Sequence, residues 1–155
     1  MPVQKLKAFL DENGVKYTVI QHSRAFTAQE IAGLTHIPGK ELAKTVMAMI
    51  AGEAAMVVIP ASHRVDFKSL SEVVGTSVEL ADEGDFVELF PNCDVGAMPP
   101  FGNLYDMAVY VSETLAEDEF IAFSAGSHAE VMRLAYADFE RLANPILGRF
   151  SYRFP

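Results

Sequence analysis

The hydrophobic positions predict a helix at the start of the chain and a strand directly after it. Leu6, Phe9 and Leu10 recur at the three- and four-residue intervals of one helix face, and Gly14 follows as a stop signal. The next apolar run, at 17–21, is rich in β-branched residues and predicts a strand.

Further helices are predicted where a capping residue precedes an apolar repeat. Thr27 and the glutamate three residues later have the spacing of a capping box, and Asp66 and Asp82 are suitable N-cap residues. The helix after Asp82 is expected to bury Phe86 and Leu89. The predicted helices cover 27–34, 66–75, 82–89 and 136–143.

Two long apolar runs, at 45–50 and 54–59, are joined by Gly52-Glu53 and predict an antiparallel hairpin buried on both faces. Residues 107–111 and 120–123 predict two more strands, and 129–134 fits either a strand or a helix. Since strands and helices do not alternate regularly, the expected fold class is α+β with a mixed or mainly antiparallel sheet.

Composition indicates a globular protein with one domain over residues 1–155. Half of its residues are hydrophobic, and no apolar run approaches the length of a membrane span. The single cysteine, Cys93, excludes an internal disulfide. These features favour a cytoplasmic protein without a membrane partner. The tail over 149–155 alternates aromatic and basic residues, and it fits docking either on its own domain or on a neighbour.

The charge distribution limits how this chain can meet a polyanion. The formal net charge is −9, and no Lys or Arg occurs between Lys68 and Arg133. A nucleic acid could therefore contact the protein only locally, near Arg24, Lys40, Lys44, Arg64 and Lys68. The alternative is that the acidic residues form a solvated face with no binding role.

A proline-stiffened loop with little side-chain chemistry is the first candidate site. Its glycines permit tight turns and close approach of a ligand, and its prolines fix the backbone. Such a loop can present main-chain amides and carbonyls in a fixed geometry, or it can be a rigid surface turn. The loop consists of Gly96, Ala97, Met98, Pro99, Pro100, Phe101 and Gly102.

Two further segments could share a pocket with this loop. Lys44, at the mouth of an apolar strand, could place its ammonium group against a phosphate or a carbonyl oxygen, or extend along the surface to solvent. Gly126 and Ser127 would let a ligand approach the backbone, with His128 as a donor or proton carrier or as a structural residue. No metal-binding spacing, phosphate-binding loop or nucleophile motif is present.

Taken in order, five motifs resemble the YbaK/prolyl-tRNA synthetase-associated family. They are Thr27-Ala28-Gln29-Glu30, Ala43-Lys44-Thr45, Pro60-Ala61, the loop at 96–102 and Ala125-Gly126-Ser127-His128. The resemblance covers nearly the whole chain, from residue 3 to residue 143. It implies a mixed, mainly antiparallel twisted sheet with flanking short helices, and hydrolysis of the ester between a wrong amino acid and a tRNA.

The resemblance also implies roles for individual residues. Lys44 matches the family's marked lysine, which is thought to hold the phosphate or ribose region of the terminal adenosine. Gly96 begins the loop whose backbone is thought to hold the aminoacyl carbonyl, so Lys44 and Gly96 are the expected catalytic residues. The expected substrate-binding residues are Thr27, Thr45, Ala97, Met98, Pro99, Pro100, Phe101, Gly102, Gly126, Ser127 and His128.

The implied reaction needs neither a metal, nor a cofactor, nor a covalent nucleophile. An aminoacyl ester is already activated, so a positioned water and a polarised carbonyl suffice. The expected partner is the acceptor end of an aminoacyl-tRNA, with an aminoacyl-tRNA synthetase as a second candidate. The alternatives are a non-catalytic module that binds an aminoacyl-tRNA or a synthetase, and a hydrolase of other small esters or amides.

Overall fold

The structure is a computed structural model that describes residues 2–25 and 27–153. Its helices are α1 (Pro2–Glu12), α2 (Ala28–Thr35), α3 (Phe67–Val74), α4 (Glu83–Phe86) and α5 (Tyr136–Ala143). Its strands are β1 (Tyr17–Gln21), β2 (Leu42–Ile50), β3 (Glu53–Pro60), β4 (His63–Val65), β5 (Val78–Leu80), β6 (Val109–Ser112), β7 (Phe120–Ser124), β8 (Glu130–Ala135), β9 (Ile146–Gly148) and β10 (Ser151–Arg153).

One large sheet organises the molecule. Its strands run in the order β1-β8-β7-β2-β3-β6-β9, with β5 also paired to β2, while β4 and β10 form a separate two-stranded ribbon. The β2–β7, β3–β6 and β6–β9 pairs are parallel, and the other pairs of the sheet are antiparallel. The predicted fold class, α+β with a mixed, mainly antiparallel sheet and short helices, is confirmed.

The central hairpin forms where the apolar runs predicted it. The turn is Ala51-Gly52 and not the predicted Gly52-Glu53, because Glu53 already pairs with Ile50; Ala51 and Gly52 both have positive φ, as a two-residue turn between twisted strands requires. Met47 and Met56 lie opposite each other and belong to the main core, which also holds α1 and α5. Val57 packs with Leu70 of α3 on the other face of the sheet. The hairpin therefore has apolar cores on both sides.

The cap residues predicted several helix boundaries correctly. Thr27 accepts a hydrogen bond from the Glu30 N–H, and Asp66 accepts one from the Ser69 N–H. Asp82 precedes α4, but α-helical geometry ends at Phe86 and continues as a 3₁₀ turn through Leu89. Phe86 is buried, whereas Leu89 is 44% exposed, so its predicted inward position is wrong.

Short strands account for the other differences from the predictions. The ambiguous segment at 129–134 is strand β8, and the strand predicted from residue 107 begins at Val109 because the Met107 N–H donates to the Gly102 carbonyl. The strands β4, β5, β9 and β10 were not predicted. The tail docks on its own domain, because β10 pairs with β4; residues 154 and 155 lie outside the described residues.

Candidate active site

A gap in the sheet opens where β2 separates from β7. Their parallel pairing ends at Ala43 and Phe123. The next strand along that edge of β2 is β5, which pairs from Ala48, and the Ala81 N–H donates to the Met47 carbonyl. Within the described residues, no strand therefore pairs with this edge between positions 44 and 46. Diverging parallel strands are a common place for a ligand site, because the freed main-chain groups face a crevice.

The loop at 96–102 and Asp94, two residues before it, are fixed against the turn that follows β7. The Asp94 N–H donates to the Gly126 carbonyl at 2.9 Å, and the Gly126 N–H donates to the Ala97 carbonyl at 2.8 Å. The Asp94 carboxylate accepts the His128 N–H at 3.0 Å and an Arg24 guanidinium N–H at 3.2 Å. The first three of these bonds tie the loop to the turn and set the distance between them, and the fourth ties Arg24 to Asp94.

A cavity of about 160 Å³ occupies the gap. It brings together Lys44 and Thr45 from β2, Gly96 and Met98 from the loop, and His128 from the turn. The remaining walls are Ala28 and Ile31 of α2, Leu42 and Ala43 of β2, and Ser124 of β7. The lysine and the glycine-containing loop, which lie 52 positions apart in the chain, thus border the same small space.

Lys44 contributes a positive charge that is partly removed from water. Burial lowers the pKa of Lys44 below its ordinary value, and the nearby positive charge of Arg64 lowers it further. An ammonium group in this setting has lost part of its hydration, so it gains more than an exposed lysine from an anionic or strongly polar ligand.

Gly96 and His128 form the opposite wall. Gly96 has φ +86, and a Cβ built there would lie 3.6 Å from His128 Cε1, so the glycine leaves space beside the imidazole. Among the described residues, the Gly96 N–H donates only to the Met98 thioether, at 3.2 Å. Because a thioether is a weak acceptor, an ester carbonyl could take this N–H at little cost.

Several expected substrate-binding residues do not line the cavity. Phe101 is fully buried in the main core against Phe9, Phe123 and Phe139. Gly102 is packed so tightly that an added Cβ would lie 2.4 Å from the Met107 carbonyl oxygen. Outside the cavity lining are Thr27, Ala97, Pro99, Pro100, Phe101, Gly102, Gly126 and Ser127.

Most of these residues support the walls of the cavity and do not line the cavity themselves. Thr27 caps α2, which supplies two cavity walls. Ala97 and Gly126 form the hydrogen bond between the loop and the turn, and the Ser127 hydroxyl accepts the Ala129 N–H at 3.2 Å. The prolines at 99 and 100 are buried. The predicted motifs are therefore close together, but only part of each motif faces the cavity.

The sequence did not single out Ser124 or Asp94. Ser124 ends β7 among apolar neighbours, and its hydroxyl forms no hydrogen bond with the described residues. Asp94 supports the turn through the His128 N–H. Ser124 could have been found in the sequence as a polar residue at the end of an apolar strand. No local sequence signal indicated that Asp94 bonds to a residue 34 positions away.

Other reactive groups lie elsewhere. Cys93 does not line the cavity, and its pKa is raised, first by burial, with opposing effects from Tyr105 and Lys5 and a further rise from Asp94. Within residues 2–25 and 27–153, no three His, Cys, Asp or Glu side chains are grouped as metal ligands. No described helix is long and apolar enough to cross a bilayer.

The fold and the cavity define an editing-domain class of α+β protein. A family model described as "Aminoacyl-tRNA editing domain" matches residues 22–142, which include every cavity residue. The chain belongs to this family, and the resemblance found in its motifs is confirmed.

Proteins with similar sequences and structures carry related descriptions. The Escherichia coli protein named Multifunctional Ser/Thr-tRNA deacylase ProXp-y is 27% identical over 154 residues, covering 95% of this chain and 91% of that protein. Prolyl-tRNA editing protein ProX of Acetoanaerobium sticklandii is 25% identical over 146 residues, covering 90% and 88% of the two chains. The crystal structure of a candidate trans-editing enzyme for prolyl tRNA synthetase superposes with a TM-score of 0.82 at 17% identity and covers 97% of each chain.

Proposed function

We propose that this protein is an aminoacyl-tRNA deacylase that hydrolyses the ester of a mischarged tRNA in trans. The observation that carries the proposal is the shared cavity of Lys44, Gly96 and His128 at the free edge of β2. The names of the two sequence relatives support the same reaction class. We also propose that residues 1–155 act as one editing domain in the cytoplasm.

The proposed binding mode assigns each wall to one part of the substrate. Lys44 holds the phosphate or ribose oxygens of the terminal adenosine, because its desolvated charge favours an anionic or polar partner. The Gly96 N–H exchanges its thioether acceptor for the ester carbonyl oxygen. The free main-chain edge at Thr45 supplies further hydrogen-bonding groups to the aminoacyl moiety.

The proposed chemistry is hydrolysis by positioning. An N–H aimed at the carbonyl oxygen stabilises the negative charge that develops as water attacks. The neighbouring ribose hydroxyl of the substrate orients that water, and the ester bond to the ribose then breaks to release the amino acid. His128 lies beside Gly96, where its ring can hold a hydrogen bond to the water or the leaving oxygen.

The cavity favours a small amino acid. We base this preference on the cavity volume of about 160 Å³, which lies below the range of about 300–1,000 Å³ typical of small-molecule sites. Thr45 and Ser124 both line the cavity and each carries a hydroxyl. Serine, threonine and alanine are therefore the proposed side chains, and a hydroxyl-bearing one gains a partner at Thr45 or Ser124.

A deacylation panel tests the proposal. Purified protein is mixed with tRNAs charged with alanine, cysteine, serine, threonine or proline, and ester loss is followed against the spontaneous rate. Lys44→Met is expected to lower the rate on the preferred substrate at least about tenfold, the effect of losing one charge-assisted contact. Lys68→Met is the matched control, because Lys68 is exposed on α3.

The alternative functions predict different results in the same deacylation panel. A binding module gives saturable binding of aminoacyl-tRNA without turnover. A general hydrolase cleaves free esters as readily as tRNA-linked ones. A synthetase that delivers the substrate would raise the deacylation rate when added, since the acidic chain is suited to contact only the acceptor end.

A further inference from the structure

A second groove, of about 500 Å³, lies beside the candidate active site. Its basic lining residues are Lys40, His63 and Arg153, and its acidic lining residues are Glu117 and Asp118. The remaining lining residues are Pro38, Gly39, Pro60, Ser62 and Thr114. None of these positions belongs to the motifs that indicated the editing family, apart from Pro60.

The groove adjoins the strand positions that carry the cavity. His63 lies close enough to Lys44 of the cavity and Arg153 of the groove that both positive charges lower its pKa, after the larger effect of burial. Pro60, which lines the groove, pairs with Ala43, the cavity residue that precedes Lys44. These two contacts place the groove next to the Lys44 side of the cavity.

Strand pairing and hydrogen bonds hold the residues on the basic side of the groove in place. Arg153 and His63 are direct cross-strand partners of the β4–β10 ribbon. His63 Nδ1 is hydrogen-bonded to the Ser151 hydroxyl at 2.8 Å, and that hydroxyl meets the Ser112 hydroxyl at 2.8 Å. Ser112 is only 2% exposed and also bonds Thr114. This chain of hydroxyls fixes the imidazole and leaves its Nε2 for a ligand.

The acidic side of the groove contains a carboxylate oxygen that lacks a hydrogen-bond donor among the described residues. Asp118 Oδ2 is buried and has no hydrogen-bond partner within residues 2–25 and 27–153. An unsatisfied buried acceptor is costly, so a ligand hydroxyl that donates to it would be held firmly. Glu117 and Asp118 also repel anions, but the charge of Lys40 acts on Asp118 and partly offsets this repulsion, so a phosphate is favoured near Lys40 and Arg153.

We propose that this groove binds a ribonucleotide of the tRNA acceptor strand next to the terminal adenosine, with its phosphate on Lys40, His63 and Arg153 and its ribose hydroxyl on Asp118. The proposal rests on the proposed function for the direction of the strand. Two positive side chains, Lys40 and Arg153, in a chain of net charge −9 are suited to a short stretch of phosphate backbone and not to a long duplex, and His63, whose pKa is lowered, contributes a ring hydrogen bond.

Direct binding measurements test the groove without relying on catalysis. The probe is a fluorescent single-stranded RNA that ends in cytidine-cytidine-adenosine, titrated with wild type, Arg153→Gln and Arg141→Gln over a series of salt concentrations. Arg141 is the matched control, because it is an exposed arginine on α5 paired with Asp138. For Arg153→Gln we expect Kd to rise roughly fivefold to tenfold and the salt slope to fall by about 0.7.

A modified RNA probe tests the proposed contact between the ribose hydroxyl and Asp118. A probe with a 2′-deoxy nucleotide at the penultimate position should bind wild type several-fold more weakly, and this difference should vanish in Asp118→Ala. Equal Kd values and salt slopes for Arg153→Gln and Arg141→Gln would refute the proposal that the groove binds a ribonucleotide, whatever the deacylation rates are. Loss of binding in Arg153→Gln, with no hydrolysis of any charged tRNA by wild type, would support the groove and refute the proposed reaction.

Discussion

Replacing Gly96 with alanine separates the shape of the cavity from the stability of the fold. Gly96 has φ +86, a conformation that costs an alanine about 1–2 kcal/mol. The new Cβ would lie 3.6 Å from His128 Cε1, an ordinary contact, so the loop can keep its position. For a domain of this size, the strain alone should lower Tm by about 2–8 °C.

The effect on activity should exceed the effect on folding. The methyl group of Gly96→Ala would project beside His128 into a space of about 160 Å³ that must also hold the ester. Crowding a closely fitted site costs roughly 1–3 kcal/mol, which corresponds to about a fivefold to 150-fold loss in kcat/KM.

Gly75 provides a matched control for this variant. It has the same φ, +86, at the end of α3, and a Cβ there would meet nothing within 4 Å. The Tm of Gly75→Ala should fall by a similar amount, and its deacylation rate at a temperature well below both transitions should equal that of wild type. If Gly96→Ala and Gly75→Ala are equally active, the wall formed by Gly96 does not contact the substrate and the proposed binding mode is refuted.

Two further predictions concern the support of the site and its charge. Asp94→Ala removes the acceptor of the His128 N–H and should lower the free energy of unfolding by about 1–3 kcal/mol in denaturant titrations. The control, Asp138→Ala, loses only a surface ion pair and should change this free energy little. Equal free energies of unfolding for the two variants would show that Asp94 does not support the turn. Activity should decline at alkaline pH with an apparent pKa below 10.5 as Lys44 loses its proton, and Arg64→Gln should move this decline to higher pH, because the charge of Arg64 contributes to lowering the pKa of Lys44. A pH–rate profile corrected for spontaneous ester hydrolysis measures both effects, and an unshifted decline in Arg64→Gln would assign it to another group.

Local sequence signals predicted the elements that local chemistry determines. The caps at Thr27 and Asp66 act through hydrogen bonds to residues three positions away, so their effect is visible in a short window of sequence. The hairpin turn is equally local, although it lies at Ala51-Gly52, one residue before the predicted Gly52-Glu53. The residue types of the loop and of Lys44 suggested a shared pocket, and the motif resemblance implied the same, whereas the pattern of apolar residues alone could not show it.

Features that depend on distant pairing were not predictable. The cavity exists because β2 exchanges β7 for β5 along one edge, and neither strand's sequence reveals that exchange. The strand β10 has three residues and exists through its pairing with β4, so its local propensity was uninformative. Leu89 is exposed because α-helical geometry stops at Phe86, which rotates the following residues away from the core direction expected for a longer helix.

The most direct test of the central claim is to locate a stable substrate analogue on the protein. Aminoacyl-adenosine with an amide in place of the ester cannot be hydrolysed readily, and its binding can be followed by shifts of backbone amide resonances. The proposed site predicts saturable shifts concentrated at Lys44, Thr45, Gly96 and His128, the walls of the gap between β2 and β7. Shifts concentrated instead around Tyr105 and Met107, which line a separate groove, would contradict the account.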